Sequence, residues 1–154
     1  MLIHQTLVRE RCFDSVPGSS KKRILENCSE LIADQVDGLD AEEIFGGLIN
    51  RERLGSTGIG EGVAIPHCRL EECREATGAL VKLPEPVDFD AIDGQPVDLL
   101  FVLLVPSEAT EAHLQILAAL AEMFNDAGLR QRMRAASDED ALYKVAVDYE
   151  MEHI

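Results

Sequence analysis

Two histidines and one glycine-rich segment are the parts of this sequence whose types and spacing can do chemistry. His67 follows Pro66 and the short apolar run Val63-Ala64-Ile65. Proline fixes φ and has no N–H, so sheet pairing is expected to stop there and to present the next side chain at a strand end. Ligands of α/β sheets gather near strand ends. His67 therefore reads as a nucleophile or general base, as a metal ligand, or as an ordinary loop histidine. His113 stands with Ile116, Leu117, Leu120 and Phe124 at helical spacing, on an apolar stripe. With Thr110 as N-cap it falls in the first turn, where unpaired N–H groups and the dipole favour an anion and oppose an imidazolium. The bland alternative is a core histidine bonded to a carbonyl. The segment 51–62 combines Arg51 and Arg53 with four glycines, Gly55, Gly58, Gly60 and Gly62. Their amides could approach a phosphate, and the guanidinium groups could offer fork-shaped donors. Taken alone the signal is weak, and an ordinary turn is the plainer reading. No Gly-Lys-Ser/Thr follows, and the loop leads into a strand, so neither a Walker loop nor a dinucleotide fingerprint is present.

Other reactive residues offer less. Cys68 adjoins His67, but neighbours in an extended chain point to opposite sides, which disfavours a nucleophile–base pair. His67, Cys68, Cys73 and His113 match no standard zinc spacing, so no metal and no other cofactor is expected. Glu71, Glu72, Asp88, Asp90 and Asp93 read as solvated faces.

The elements that must position these residues follow from periodicity. Ile24, Leu25, Cys28, Leu31, Ile32 and Val36 repeat as a helix after Ser20. Asp40 and Glu43 resemble a capping box ahead of a short helix carrying Ile44, Phe45, Leu48 and Ile49. Short strands are expected at 63–65 and 79–83, the second ended by Pro84 and Pro86, with a turn at 93–96. Residues 99–105 are apolar without alternation and read as a central strand covered on both faces. Helices are expected at about 110–125 and 129–136, and a last one starting at Ser137 with Asp140 in a capping-box position. The fold class is α/β (mixed α+β), a central mixed sheet of about five strands with helices on both faces, in a single domain over residues 1–154.

Composition narrows the function classes. Of 154 residues, 46% are hydrophobic and 28% charged, which fits a folded globular domain. No apolar run reaches the roughly 18 residues of a membrane span, and no signal peptide is visible, so membrane insertion is not expected and a cytoplasmic location is. Cys12, Cys28, Cys68 and Cys73 then read as reduced thiols. The net charge of −15 disfavours nucleic acid and favours a partner with a basic patch.

Taken together, the stretch Arg51-Glu52-Arg53-Leu54-Gly55-Ser56-Thr57-Gly58-Ile59-Gly60-Glu61-Gly62-Val63-Ala64-Ile65-Pro66-His67 resembles the active-site signature of the mannitol/fructose-type enzyme IIA domains of the bacterial phosphotransferase system. Phe89-Asp90-Ala91-Ile92-Asp93-Gly94-Gln95-Pro96-Val97-Asp98-Leu99-Leu100-Phe101, Leu104-Val105-Pro106 and Ser20-Lys21-Lys22-Arg23 resemble its stand-alone nitrogen-regulatory branch. The resemblance runs from about Thr6 to Asp148. It implies that His67 carries a phosphoryl group, on Nε2, that His113 is the second active-site histidine, and that Arg51 faces the phosphoryl oxygens. It implies an HPr-like phosphocarrier as donor and regulatory protein targets, such as transporter or kinase components, as the output. No IIB-like or IIC-like region is joined to these residues, which favours regulation. The alternative is a fructose- or mannitol-type IIA that passes its phosphoryl group to a separate IIB component. Cys68 departs from the glycine usual in the family, and its side chain could narrow the partner's approach or add redox sensitivity. An apolar rim for docking is expected around His67, from Ile59, Val63 and Leu114.

Overall fold

The computed structural model describes residues 2–108 and 111–153. Chain order is α1 (Leu2–Thr6), a single 3-10 turn (Arg9–Arg11), β1 (Cys12–Asp14), α2 (Lys21–Gln35), α3 (Ala41–Leu54), β2 (Gly58–Gly60), β3 (Val63–Ala64), β4 (His67–Leu70), β5 (Thr77–Val87), β6 (Val97–Pro106), α4 (Glu111–Phe124), α5 (Ala127–Ala135) and α6 (Glu139–Glu152). The strands form one mixed sheet of six, in the order β1-β5-β6-β3-β2, with β4 also paired to β6. The expected number was about five. The additions are short: β1 has three residues and runs parallel to β5, too few to show a period of two.

Strand β6 lies at the centre, and its alternation divides the core. Leu100, Val102 and Leu104 pack into a cluster with α2 and α3 residues such as Ile24, Leu25, Ile44 and Leu48. Leu99, Phe101, Leu103 and Val105 pack on the opposite side with Leu120, Met123, Leu129, Met133 and Leu142 from α4, α5 and α6. Both sides of this strand are dry, which is why it reads as an unbroken apolar run.

Two details of the sheet differ from the sequence reading, and both concern proline. β5 continues through Pro84 and Pro86, with a register shift between Lys82 and Val87 that absorbs the missing donors. Pro66 interrupts pairing without ending it. Val63 pairs with Leu99 and Ala64 with Leu100, and beyond the proline His67 pairs with Leu103 and Cys68 with Leu104, at the same offset. The Pro66 carbonyl still accepts from Leu103 N–H, 2.9 Å away. His67 thus opens a strand instead of closing one.

Helix starts follow side-chain caps. Ser20 Oγ accepts from Arg23 N–H at 3.2 Å and Asp40 from Glu43 N–H at 3.1 Å. The last helix is capped by Asp138, which accepts from Ala141 N–H, and not by Ser137 as expected. The expected cap Thr110 lies outside the described residues. Helix α3 is longer than the sequence suggested. Arg51, Glu52, Arg53 and Leu54 are good helix formers, and the helix stops only at Gly55, whose φ is 155°. Arg51 therefore stands on the last helical turn and not in a loop.

Candidate active site

Alternation along the strand formed by β3 and β4 decides which face His67 occupies. Ala64, Cys68 and Leu70 point into the α2/α3 core, and Val63 and Ile65 into the α4–α6 core. His67 shares the side of Val63 and Ile65, and there α4 presents His113. The two ring centroids are 5.2 Å apart, with planes inclined at 52°. From the end of α3, Arg51 completes the group: its Nε–H donates to His67 Nε2 at 3.3 Å, and an Nη1–H donates to the Gly55 carbonyl at 2.9 Å. All three residues singled out by the sequence thus meet at one place.

The hydrogen bonds define the imidazole. His67 Nδ1 lies 2.8 Å from the Ile65 carbonyl, which can only accept, while Nε2 faces a guanidinium N–H, which can only donate. The proton therefore sits on Nδ1 and the lone pair on Nε2. Burial pushes the His67 pKa below its ordinary value; the Ile65 carbonyl opposes this, and Arg51 adds to it. His113 is buried, 6% exposed, and its Nδ1 has no hydrogen-bond partner. Among the described residues no carbonyl meets that nitrogen, as one would in an ordinary core histidine. Burial lowers its pKa too, followed by the nearby His67, Arg69 and Arg51. Both shifts favour neutral imidazoles beside a guanidinium, so one ring nitrogen is free to act as a nucleophile next to a positive charge.

A second group, to which the sequence reading gave no role, supports the first. Glu52 turns inward from Arg51, with its side chain 4% exposed. It accepts from Lys21 Nζ at 2.7 Å, from Thr57 N–H at 3.1 Å and from the Thr57 hydroxyl. Lys21 also sits over the Phe89 ring, and Ser56 Oγ–H donates to the Phe89 carbonyl at 2.5 Å. Arg69 was also passed over. It is exposed, two residues beyond His67 on the same face of β4, and strand parity alone could have found it.

Several expectations need correction. Arg53 bonds Asn50 on the exposed side of α3 and does not reach the site. Val63 is fully buried, so it forms no docking rim, while Ile59 and Leu114 are exposed, as is Leu54, three residues beyond Arg51. Cys68 does not narrow the approach to His67. It is buried on the opposite face under α3, its Sγ 2.8 Å from where a Cβ on Gly47 would stand, and burial pushes its thiol up to about 12. All four cysteines are free. Among the described residues no group of three His, Cys, Asp or Glu could hold a metal ion, and no helix is long and apolar enough to cross a membrane.

With the site in view, comparison with known proteins is decisive. Residues 7–147 match the family model described as "Phosphoenolpyruvate-dependent sugar phosphotransferase system, EIIA 2". The chain belongs to this enzyme IIA family. A "Nitrogen regulatory protein" of Pseudomonas aeruginosa is 51% identical over 146 residues, covering 95% of each chain. Nitrogen regulatory protein IIA-Ntr from Neisseria meningitidis superposes with a TM-score of 0.87 at 39% identity, over 94% of this chain and 99% of that one. The mannitol enzyme IIA of Escherichia coli, in its complex with phosphorylated enzyme IIB, shares the fold at a TM-score of 0.76 and 18% identity, over 93% of this chain and 98% of that one. This enzyme IIA chain is thus a phosphotransferase-system component whose relatives carry a nitrogen-regulatory name.

Proposed function

We propose that His67 is the phosphoryl-carrying residue, that it takes the group from an HPr-like phosphocarrier, and that its phosphorylation state selects regulatory protein targets such as transporter or kinase components. The observation that carries this reading is the lone pair of Nε2, fixed by the Ile65 carbonyl at Nδ1 and flanked by Arg51 and His113. Nε2 attacks phosphorus in line as the donor's N–P bond breaks, and that electron pair stays on the donor nitrogen. His67 keeps its Nδ1 proton throughout, so the step moves no proton. The positive charge gained by the phosphorylated ring is held by the Ile65 carbonyl.

Phosphoryl transfer needs positioning and charge stabilisation more than covalent help. Arg51 leaves Nε2 as phosphorus arrives and turns its donors to the equatorial oxygens. His113 offers a further N–H, and Arg69 adds positive charge on the same face. In a chain of net charge −15, the guanidinium groups of Arg51 and Arg69 make the site locally hospitable to an anion.

The test incubates the chain with phosphoenolpyruvate, enzyme I and an HPr-like donor. An acid-labile adduct on the peptide containing His67 is expected, lost in His67→Ala. Arg51→Lys, which keeps charge but loses the fork, is expected to slow transfer about 100-fold, in line with the loss of one donor at a charge-stabilising site. No adduct, or one that survives His67→Ala, would refute the reading. The second reading, a sugar-type IIA that passes the group to a separate IIB, draws on the fold shared with the mannitol IIA found in complex with phosphorylated IIB. Rapid discharge to a IIB acceptor favours it. Binding partners that change with His67 phosphorylation favour the regulatory output.

A further inference from the structure

Arg51 and Glu52 are neighbours on one helical turn, yet their side chains leave in different directions and reach opposite sides of the same imidazole. Arg51 meets Nε2 directly. Glu52 reaches the other side through the backbone. Its carboxylate takes both the N–H and the hydroxyl of Thr57. The Thr57 carbonyl accepts from Ile65 N–H at 3.0 Å, and the Ile65 carbonyl accepts from His67 Nδ1–H at 2.8 Å. The start of this path is rigid, because Lys21 holds the carboxylate at 2.7 Å while both side chains are largely withdrawn from water. Lys21 is itself tied to α2, the Phe89 ring and, at 3.4 Å, the Phe89 carbonyl.

We infer that Glu52 is a positioning residue for His67: pinned by Lys21, it fixes Thr57 and, through Ile65, keeps the proton on Nδ1 and the lone pair on Nε2. The geometry stands by itself, and its consequence for transfer rests on the proposed carrier role of His67. A buried ion pair is weak evidence for stability, since desolvation offsets much of the attraction. Its value here is geometric. Partners one layer behind a reactive imidazole set its tautomer and ring direction, and at metal sites their loss lowers affinity or activity 10–100-fold.

The test follows the imidazole nitrogens of His67 by long-range proton–nitrogen NMR in the full chain, as wild type, Glu52→Gln, Thr57→Val and Thr57→Ser, and measures phosphorylation by an HPr-like donor in the same samples. The wild type is expected to show a single Nδ1–H tautomer. Glu52→Gln and Thr57→Val are expected to show mixed tautomers and phosphorylation slowed about tenfold. Thr57→Ser, which restores the hydroxyl, is expected to recover both signals. If Glu52→Gln does not fold, wild type against Thr57→Val decides, since threonine and valine are nearly isosteric and differ chiefly in that hydroxyl, and Thr57→Ser is the rescue. Variants with a lowered Tm but a wild-type tautomer and rate would overturn the inference, as would Thr57→Ser behaving like Thr57→Val. If the wild type is not phosphorylated at all, the carrier reading fails, while the tautomer signals still decide the positioning role.

Discussion

His67 must be neutral to attack phosphorus, and its surroundings keep it so. Burial disfavours the imidazolium and outweighs the Ile65 carbonyl, which favours it. The folded pKa therefore lies below the ordinary value of about 6.5, and the nucleophile persists as pH falls through that value. Single-turnover phosphorylation is expected to reach its half-maximal rate only below about pH 6.5. A half-maximal rate at or above about pH 6.5 would contradict this. The sequence made His67 legible through Pro66 and the glycines before it. It left open which nitrogen is free, because that depends on the Ile65 carbonyl and Arg51, and residue types do not encode those directions.

The elements that carry the site are held by local signals at their starts and by distant contacts at their ends. Ser20 and Asp40 cap α2 and α3 as their residue types announce. The end of α3, which places Arg51 and Glu52, depends on Gly55 and on a lysine from another helix. Terminal helices are joined in a comparable way. Glu150 of α6 accepts from Ile3 N–H and His4 N–H at 2.9 Å and meets His4 Nδ1 at 2.7 Å. Burial by itself would raise its pKa, but the hydrogen bonds arriving from the chain's start outweigh that and hold the carboxyl down to about 2. The sign follows from linkage. A depressed carboxylate stabilises the fold fully above its unfolded pKa, and that contribution fades as pH falls from there toward about 2. Thermal melts should show Glu150→Gln less stable than wild type at neutral pH, with the difference shrinking below about pH 4.5. A difference constant down to about pH 2 would exclude the clasp as the cause.

At the scale of the molecule, the sheet, with β6 at its centre, separates two apolar layers, and the site sits where a strand beside β6 emerges between α3 and α4. The chain as a whole carries a net charge of −15. A donor with a basic face should be drawn to it, and that attraction is screened within a Debye length, about 10 Å at 0.1 M salt. The rate of transfer from an HPr-like donor is expected to fall as salt rises from about 0.05 to 0.5 M, mainly through slower association. Stopped-flow measurements at several concentrations separate association from chemistry. A bimolecular rate indifferent to salt would mean that net charge plays no part in the encounter.

By themselves the residues marked the two-faced strand at 99–105, the helices that start after Ser20 and Asp40, and, through the resemblance of the glycine-to-histidine block, the candidates His67, His113 and Arg51, because periodicity, caps and such a block are local patterns. Tertiary structure alone decided that Pro66 interrupts a strand without ending it, that Val63 and Cys68 turn inward, and that Glu52 pairs with Lys21. Each of those outcomes depends on a neighbour far away in the chain: Leu103 accepted into register, Gly47 leaving room for a thiol, an ammonium from α2 meeting a carboxylate at the end of α3. Burial and hydrogen-bond direction are properties of such meetings, and a linear pattern holds them only after the chain has folded.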